Sequence, residues 1–125
     1  MNKVLILQPD IPYSDLIICY GHKSYHNIIA KRYQGHEFIT SSGITAMYEH
    51  TEKYGHTVIV GIKKLKHFKD VDKFKTTLIH ELSHMVTYVM NHFGFTCDEF
   101  RSYLLEWIYG KTMPFIDDIL NKELK

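Results

Sequence analysis

Short apolar runs alternate with helical periodicities along this 125-residue chain. β-Branched and aromatic residues dominate Leu16–Tyr20 and Thr57–Ile62, a composition typical of buried strands. The short run Val4–Leu7 predicts an edge strand, and the alternation in Ile44–His50 predicts a strand exposed on one face. Because turn-forming residues separate Ile44–His50 from Thr57–Ile62, these two runs predict a β-hairpin.

Helical spacing of apolar residues accounts for most of the remaining chain. Carboxylates that can cap free amides mark the start of the longest predicted helix, and a glycine marks its end. The predicted helices are His22–Tyr33, a long helix from Asp70 or Asp72 to Gly94, a helix from about Cys97 to Tyr109, and a short helix that begins at Pro114. The pattern predicts an α+β fold, a single domain over residues 1–125, in which a small mixed or antiparallel sheet packs with a long central helix and further C-terminal helices.

Composition and charge narrow the classes of function. Hydrophobic residues make up 45% of the chain, which is typical of an ordered globular protein. The formal net charge is +1, so there is no electrostatic case for nucleic acid or an anionic membrane as a partner. The basic run Lys63–Lys69 is followed at once by Asp70 and Asp72, which favours a solvated loop before a helix.

The N-terminus and the cysteines indicate the compartment. Val4–Leu7 is too short for the apolar core of a signal peptide or for a membrane span, so we expect a cytoplasmic protein. Cys19 and Cys97 are far apart in the sequence and outside any C-x-x-C pattern. We therefore expect two reduced cysteines, one in a buried strand and one in a loop.

The strongest chemical signal lies inside the long predicted helix, where His80, Glu81 and His84 form a His-Glu-x-x-His pattern. Two histidines four residues apart project from one helix face about one turn apart, so both imidazoles can reach a single ion. Neutral imidazole suits Zn²⁺, whose tetrahedral shell then leaves room for a third protein ligand and a water. Glu81 lies at the edge of the same face, where its carboxylate can accept a proton from that water.

A second histidine pair has the same spacing but a different setting. His22 and His26 have no glutamate after the first histidine, and aromatic residues share their helix face. We therefore expect half-buried packing histidines there and not a metal site.

His80-Glu81-Leu82-Ser83-His84 resembles the active-site helix of the zincin metallopeptidases. The order of elements over roughly residues 16–107 is similar to that of small phage- or bacterium-encoded members of the thermolysin-like (gluzincin) branch. The resemblance implies a minimal zincin-like fold, a zinc cofactor and hydrolysis of a peptide or protein substrate.

The resemblance also implies a third zinc ligand after the motif. The stretch from Asp98 to Ser102 resembles the Asn-Glu-x-x-small segment of gluzincins, in which Glu99 would be the ligand. An alternative is open, because residues 96–99 form a capping-box pattern in which Glu99 would reach back to the Thr96 amide. Glu106 and His92 are reserve candidates for the third ligand.

Two tyrosines are candidates for a further role. Tyr88 lies four residues after His84, and Tyr103 lies four residues after Glu99. Either hydroxyl could point into the site and donate to a developing oxyanion. Core or rim tyrosines with a satisfied hydroxyl are the commoner alternative.

These observations predict a zinc-dependent metallopeptidase in which Glu81 is the general base. By the resemblance, an extended substrate would add as a strand to an edge of the hairpin near residues 56–62. The alternative is a non-catalytic zincin-like module that binds metal or protein. The small size of the chain favours the module, since without a second lobe it has few residues to form the sides of a deep substrate cleft. Glu81 favours the enzyme, because a structural metal gives no reason for a carboxylate beside its first ligand.

Overall fold

The computed structural model describes residues 3–9, 14–35, 37–49 and 54–125. The strands are β1 (Val4–Leu7), β2 (Asp15–Tyr20), β3 (Gly43–Tyr48) and β4 (Thr57–Ile62). The helices are α1 (His22–Tyr33), α2 (Val71–Phe93) and α3 (Asp98–Glu123), with a short 3₁₀ turn at Leu65–His67 between β4 and α2. The predicted α+β class is confirmed.

The strands form one mixed sheet in the order β1-β2-β4-β3. The central strands β2 and β4 run parallel, and the outer strands β1 and β3 are antiparallel to their neighbours. β3 and β4 form the predicted hairpin, and residues 50–53 between them lie outside the described residues. Because β4 has a partner strand on each side, the expectation that substrate adds near residues 56–62 is wrong: among the described strands, β3 is the outer strand of the hairpin.

Helices cover both faces of the sheet. On one face, Tyr25 and Ile29 of α1 form a buried cluster with Ile17 and Ile59. On the other face, α2 and α3 pack over the alternate residues of β2 and β4 in the larger core. Gly61 permits the close approach of α1, because a Cβ there would lie 2.5 Å from the Tyr25 ring.

The bounds of α2 agree with the prediction because both ends are capped by the expected residues. The Asp70 side chain accepts a hydrogen bond from the Lys73 amide at 2.8 Å. Gly94 adopts a left-handed conformation, φ 71°, that glycine reaches without strain.

α3 shows that the prediction of two separate C-terminal helices is wrong. One helix runs from Asp98 to Glu123 and contains Pro114. Ile108, Thr112 and Ile116 are buried on either side of the proline, so one inward-facing stripe continues across it. Packing of this stripe offsets the roughly 3 kcal/mol that an internal proline costs a helix.

No helix in the described ranges is both long enough and apolar enough to cross a membrane. Both cysteines are free, with Cys19 buried in β2 and Cys97 exposed before α3. Burial raises the pKa of the Cys19 thiol to about 12, so this sulfur is an inert core group.

Candidate metal centre

His80 and His84 meet on the exposed side of α2. Their Nε2 atoms are 3.1 Å apart, and their rings are perpendicular. Two nitrogens that each lie 2.0–2.1 Å from a tetrahedral zinc are about 3.3 Å apart, so this pair fits one shared ion after a small adjustment. The same distance also fits a hydrogen bond between two neutral imidazoles, one donating and one accepting.

Glu81 points away from solvent and lies between α2 and β3. Its residue exposure is 7%, which is unusual for a carboxylate. The Thr45 hydroxyl of β3 donates to Glu81 Oε1 at 2.8 Å and also lies 3.1 Å from the Glu81 carbonyl oxygen. A Cβ at Gly43 would lie 2.9 Å from Glu81 Cγ, so only glycine leaves room for this side chain. The candidate general base is therefore fixed against the edge strand of the sheet.

Sequence reasoning missed Gly43 and Thr45 as part of the site. Thr45 lies in a stretch whose pattern only predicts a strand exposed on one side, and Gly43 was predicted to lie in the loop before it. The contact of Thr45 with Glu81 joins residues 36 apart in the chain, which no local spacing reveals. The observed strand β3 begins one residue earlier than predicted, at Gly43, so residues 43 and 45 lie on one face.

The third ligand is not in place in this structure. Within the described residues, no three His, Cys, Asp or Glu side chains are grouped so that they could hold a metal. Glu99 is exposed in the first turn of α3. Arg101 in that helix donates to the Thr87 hydroxyl of α2 at 2.9 Å, which identifies the side of α3 that faces α2. At about 100° per residue, Glu99 lies roughly 200° around the helix from Arg101, on the opposite side.

The capping alternative for Glu99 is not seen either. The N-cap of α3 is Cys97 and not Thr96, so Glu99 is at the second helical position and not at the third, which the capping box requires. Asp98, three residues before Arg101, lies about 60° from it around the helix, so it is the first-turn carboxylate best directed toward α2. Arg101 itself brings a positive charge one turn beyond His84, next to Thr87.

The two reserve ligands lie in other places. Glu106 lines a depression on α3 together with Tyr103 and Trp107. His92 stacks on His56 at 3.7 Å between ring centroids, near the C-terminal end of α2. Neither joins His80 in a group of metal ligands within the described part of the chain.

The two tyrosines differ in their surroundings. Tyr88 is partly buried and packs against the main core. Tyr103 is 62% exposed and lines the depression on α3, whose described lining includes none of the motif residues. A role for either hydroxyl as an oxyanion donor stays a prediction.

His56 and Ser14 form a buried polar pair. His56 Nδ1 lies 2.7 Å from the Ser14 hydroxyl, and the buried Nε2 of His56 has no hydrogen-bond partner among the described residues. His92 covers its ring and has Glu49 Oε2 at 3.8 Å from Nδ1. Burial, and secondly the neighbouring His92, lower the pKa of His56, while Glu49 opposes them.

The pair His22 and His26 packs against an aromatic ring, as expected. Both imidazoles stack on Phe38, with ring centroids 5.0 and 4.8 Å away. His26 is half-buried as predicted, whereas His22 is exposed. Stacking on one side of each ring gives these histidines a packing role.

Comparison with protein-family models, with curated proteins and with solved structures found no match to this chain. The resemblance to zincins therefore rests on the motif and the order of elements alone.

Proposed function

We propose that this protein is a zinc-dependent metallopeptidase whose metal is held by His80 and His84 and whose general base is Glu81. The observation that carries the proposal is the combination of two Nε2 atoms 3.1 Å apart with a buried carboxylate on the next residue. A hydrogen-bonded histidine pair explains the first feature. It does not explain a carboxylate buried against the neighbouring strand, where an apolar side chain would be favoured.

The residues of this chain divide the chemistry between them. Bound zinc would lower the pKa of its water and polarise the scissile carbonyl. Glu81 would accept the water proton at the carboxylate and later deliver it to the leaving amine. Thr45 holds one carboxylate oxygen of Glu81 and so limits the directions in which the carboxylate can accept a proton.

β3 is the proposed place for the substrate backbone. It is the outer strand on the hairpin side of the sheet, and Glu81 packs directly on its Gly43 and Thr45. An extended peptide that paired with the free edge of β3 would pass beside the general base. Main-chain pairing of this kind gives affinity with little side-chain selection, which fits a site without a deep wall.

The third ligand is proposed to come from the first turn of α3. Glu99 is the ligand that the zincin resemblance implies, and Asp98 is the carboxylate that the helix phase directs toward α2. Metal analysis of Glu99→Ala and Asp98→Ala, each compared with Glu106→Ala, separates the two. The variant of the true ligand loses zinc affinity, and Glu106→Ala keeps it.

The decisive experiment combines metal content with turnover. The purified protein is expected to hold about one zinc per chain, and His80→Ala and His84→Ala are expected to lose it. Glu81→Gln should keep zinc and fold but lose about 10²–10⁴-fold in hydrolysis of a mixed peptide library, because an amide cannot accept the proton. A protein without zinc, or a Glu81→Gln variant as active as the parent, would refute the proposal.

The second candidate function is a non-catalytic module that binds metal or protein. It is favoured by the lack of a converged third ligand in the described residues and by the shallow surface near the motif. The depression beside His80 has a volume of about 340 Å³ and is lined by Lys73 and two threonines. If the zinc-loaded parent cleaves nothing in the library, and Glu81→Gln still performs whatever the parent does in cells, the module is the correct function.

A further inference from the structure

A basic pocket lies at the end of the sheet where the two parallel strands finish. β2 ends at Tyr20 and β4 ends at Ile62, directly opposite each other in the register. The segments that follow these strands, the start of α1 and residues 63–67, form the walls of a pocket of about 430 Å³. In sheets with parallel strands, the crevice beyond the carboxyl ends is a preferred place for ligands.

The charged side chains in the described lining of this pocket have one sign. Its described lining contains no carboxylate and consists of His22, Lys23, Lys63, Lys64, Lys66 and His67, together with Ile39. None of the four lysines forms an ion pair with a described residue. Such a concentration of unpaired ammonium groups is unfavourable for the free protein and favourable for a bound anion.

The backbone adds donors on one wall. α1 begins after Gly21, whose φ of 96° favours glycine and which has no side chain to cap the helix. The first turn of α1 contains no acidic residue, and the amides of residues 22–24 precede the first intrahelical hydrogen bond, from Tyr25 to Gly21. The Gly21 amide donates to the Ile62 carbonyl at 2.7 Å, which fixes this wall to the end of β4.

The pKa of Lys3 also indicates an excess of positive charge near Lys64. This pKa is lowered, chiefly by the neighbouring Lys64 side chain and secondly by burial, while Glu123 opposes the change. A multiply charged anion near Lys64 would reduce this repulsion between ammonium groups.

We propose that the basic pocket binds the phosphate or pyrophosphate group of a small phosphorylated molecule. Its volume is that of a small-molecule site, about 300–1,000 Å³, and not of an extended groove. Four ammonium groups and free backbone amides suit a multiply charged phosphate better than a single carboxylate. Because the described lining has no carboxylate that could hold a divalent cation, the anion is proposed to bind without one. This site is independent of the histidine motif.

The test titrates the whole protein with inorganic pyrophosphate, without added divalent cations, at physiological salt. Parent protein is expected to bind saturably, and Lys63→Ala/Lys64→Ala is expected to bind at least tenfold more weakly, the usual effect of losing a charged hydrogen bond. The matched control Lys69→Ala/Lys111→Ala removes two lysines that do not line the pocket and should bind like the parent. His84→Ala should also bind like the parent, which separates this site from the metal centre.

A second measurement does not depend on whether the double variant folds. In nuclear magnetic resonance spectra of the parent, pyrophosphate is expected to shift the backbone amides of residues 22–24. Absence of saturable binding, unshifted amides, or equal weakening in both double variants would overturn the proposal. Tighter binding of a single-stranded oligonucleotide than of pyrophosphate, lost in Lys63→Ala/Lys64→Ala, would overturn it in favour of a nucleic-acid surface.

Discussion

Glu81 illustrates how a single side chain can be held by its neighbours. One carboxylate oxygen accepts from Thr45, and the Gly43 backbone leaves the space that the side chain fills. Burying a carboxylate without such a donor is expensive, so the Thr45 hydroxyl stabilises the fold as well as the direction of the proposed base.

Thr45→Val is expected to lower the free energy of unfolding by about 1–3 kcal/mol, because a buried carboxylate loses a donor while the shape of the side chain is kept. Urea unfolding at neutral pH measures this. Thr45→Ser retains the hydroxyl and is the control. A loss in Thr45→Ser without a loss in Thr45→Val would mean that the methyl group of Thr45, and not its hydrogen bond, supports Glu81.

His56 should make stability depend on pH. Its pKa is lowered in the folded state by burial and by His92, so below the ordinary value of about 6.5 the unfolded state binds more protons. The stability it contributes is therefore complete above that pH and is lost as the pH falls toward the folded pKa. The side-chain amide of an asparagine at position 56 can keep the hydrogen bond that Nδ1 makes with the Ser14 hydroxyl, but it does not bind a proton in this pH range.

In the His56→Asn variant, the free energy of unfolding is expected to decrease less between neutral and mildly acidic pH than it does in the parent. The slope removed is at most about 1.4 kcal/mol per pH unit for one proton. Denaturant unfolding at several pH values checks this, with His67→Asn as a control at an exposed histidine. An unchanged slope in His56→Asn would assign the acid sensitivity to other groups.

At the candidate metal site, the local sequence pattern predicted the residues that come together within one helix, but not those that other elements contribute. His80 and His84 lie on one turn of α2, so their meeting follows from the sequence pattern. The third ligand depends on the phase of a second helix, and α3 begins after Cys97, one residue later than the capping-box pattern indicates. The side of α3 that packs on α2 is set by long-range contacts such as that of Arg101 with Thr87, and Glu99 lies about 200° around the helix from Arg101.

Among the elements, α3 is the least regular in sequence. It contains Gly110 and Pro114, four residues apart. The ring of a proline inside a helix crowds the carbonyl group of the residue four positions earlier, which here is Gly110. A Cβ at Gly110 would meet no atom within 4 Å, whereas a Cβ at Gly43 would meet Glu81. Alanine substitutions at these two glycines therefore compare a position that has room for a methyl group with one that does not.

Gly110→Ala is expected to raise the free energy of unfolding by about 0.5–1 kcal/mol, because alanine loses less conformational freedom in a helix interior. Gly43→Ala is expected to lower it, since Glu81 must move. Thermal unfolding of both variants measures the two signs. Destabilisation by Gly110→Ala would mean that the helix needs the small residue to accommodate Pro114.

The elements that sequence patterns predicted well are those with local signals at both ends. α1 and β4 have the predicted bounds, and α2 has its predicted caps at Asp70 and Gly94. α3 was divided wrongly because the proline rule is local, whereas the buried stripe that carries the helix through Pro114 depends on contacts with α2 and the sheet. The order of strands likewise depends on long-range pairing, which placed β4 inside the sheet.

In the whole molecule, Tyr20 joins three parts of the fold. Its ring is buried and lies edge-on to Phe74 of α2. Its hydroxyl accepts from the Leu65 amide at 2.8 Å and donates to Glu123 Oε2 at 2.6 Å. One hydroxyl thus connects the end of β2, the basic segment after β4 and the last turn of α3.

Tyr20→Phe is expected to lower the free energy of unfolding by about 1–3 kcal/mol, because it leaves the Leu65 amide and the Glu123 carboxylate without this partner. Chemical denaturation measures the change. Tyr109→Phe, at an exposed tyrosine of α3, is the control and should unfold like the parent. A loss no larger than that of the control would mean that water replaces the Tyr20 hydroxyl fully.

The bond between Tyr20 and Glu123 spans 103 positions of the chain. During synthesis, β1 and β2 leave the ribosome before α2 and α3, and the apolar side of the sheet has no cover until those helices have followed. Long-range contacts of this kind form late and leave apolar strands open to other chains in the meantime. The side of the sheet beneath α2 and α3, and not the side beneath α1, is therefore the surface that a chaperone on the nascent protein would meet for longest.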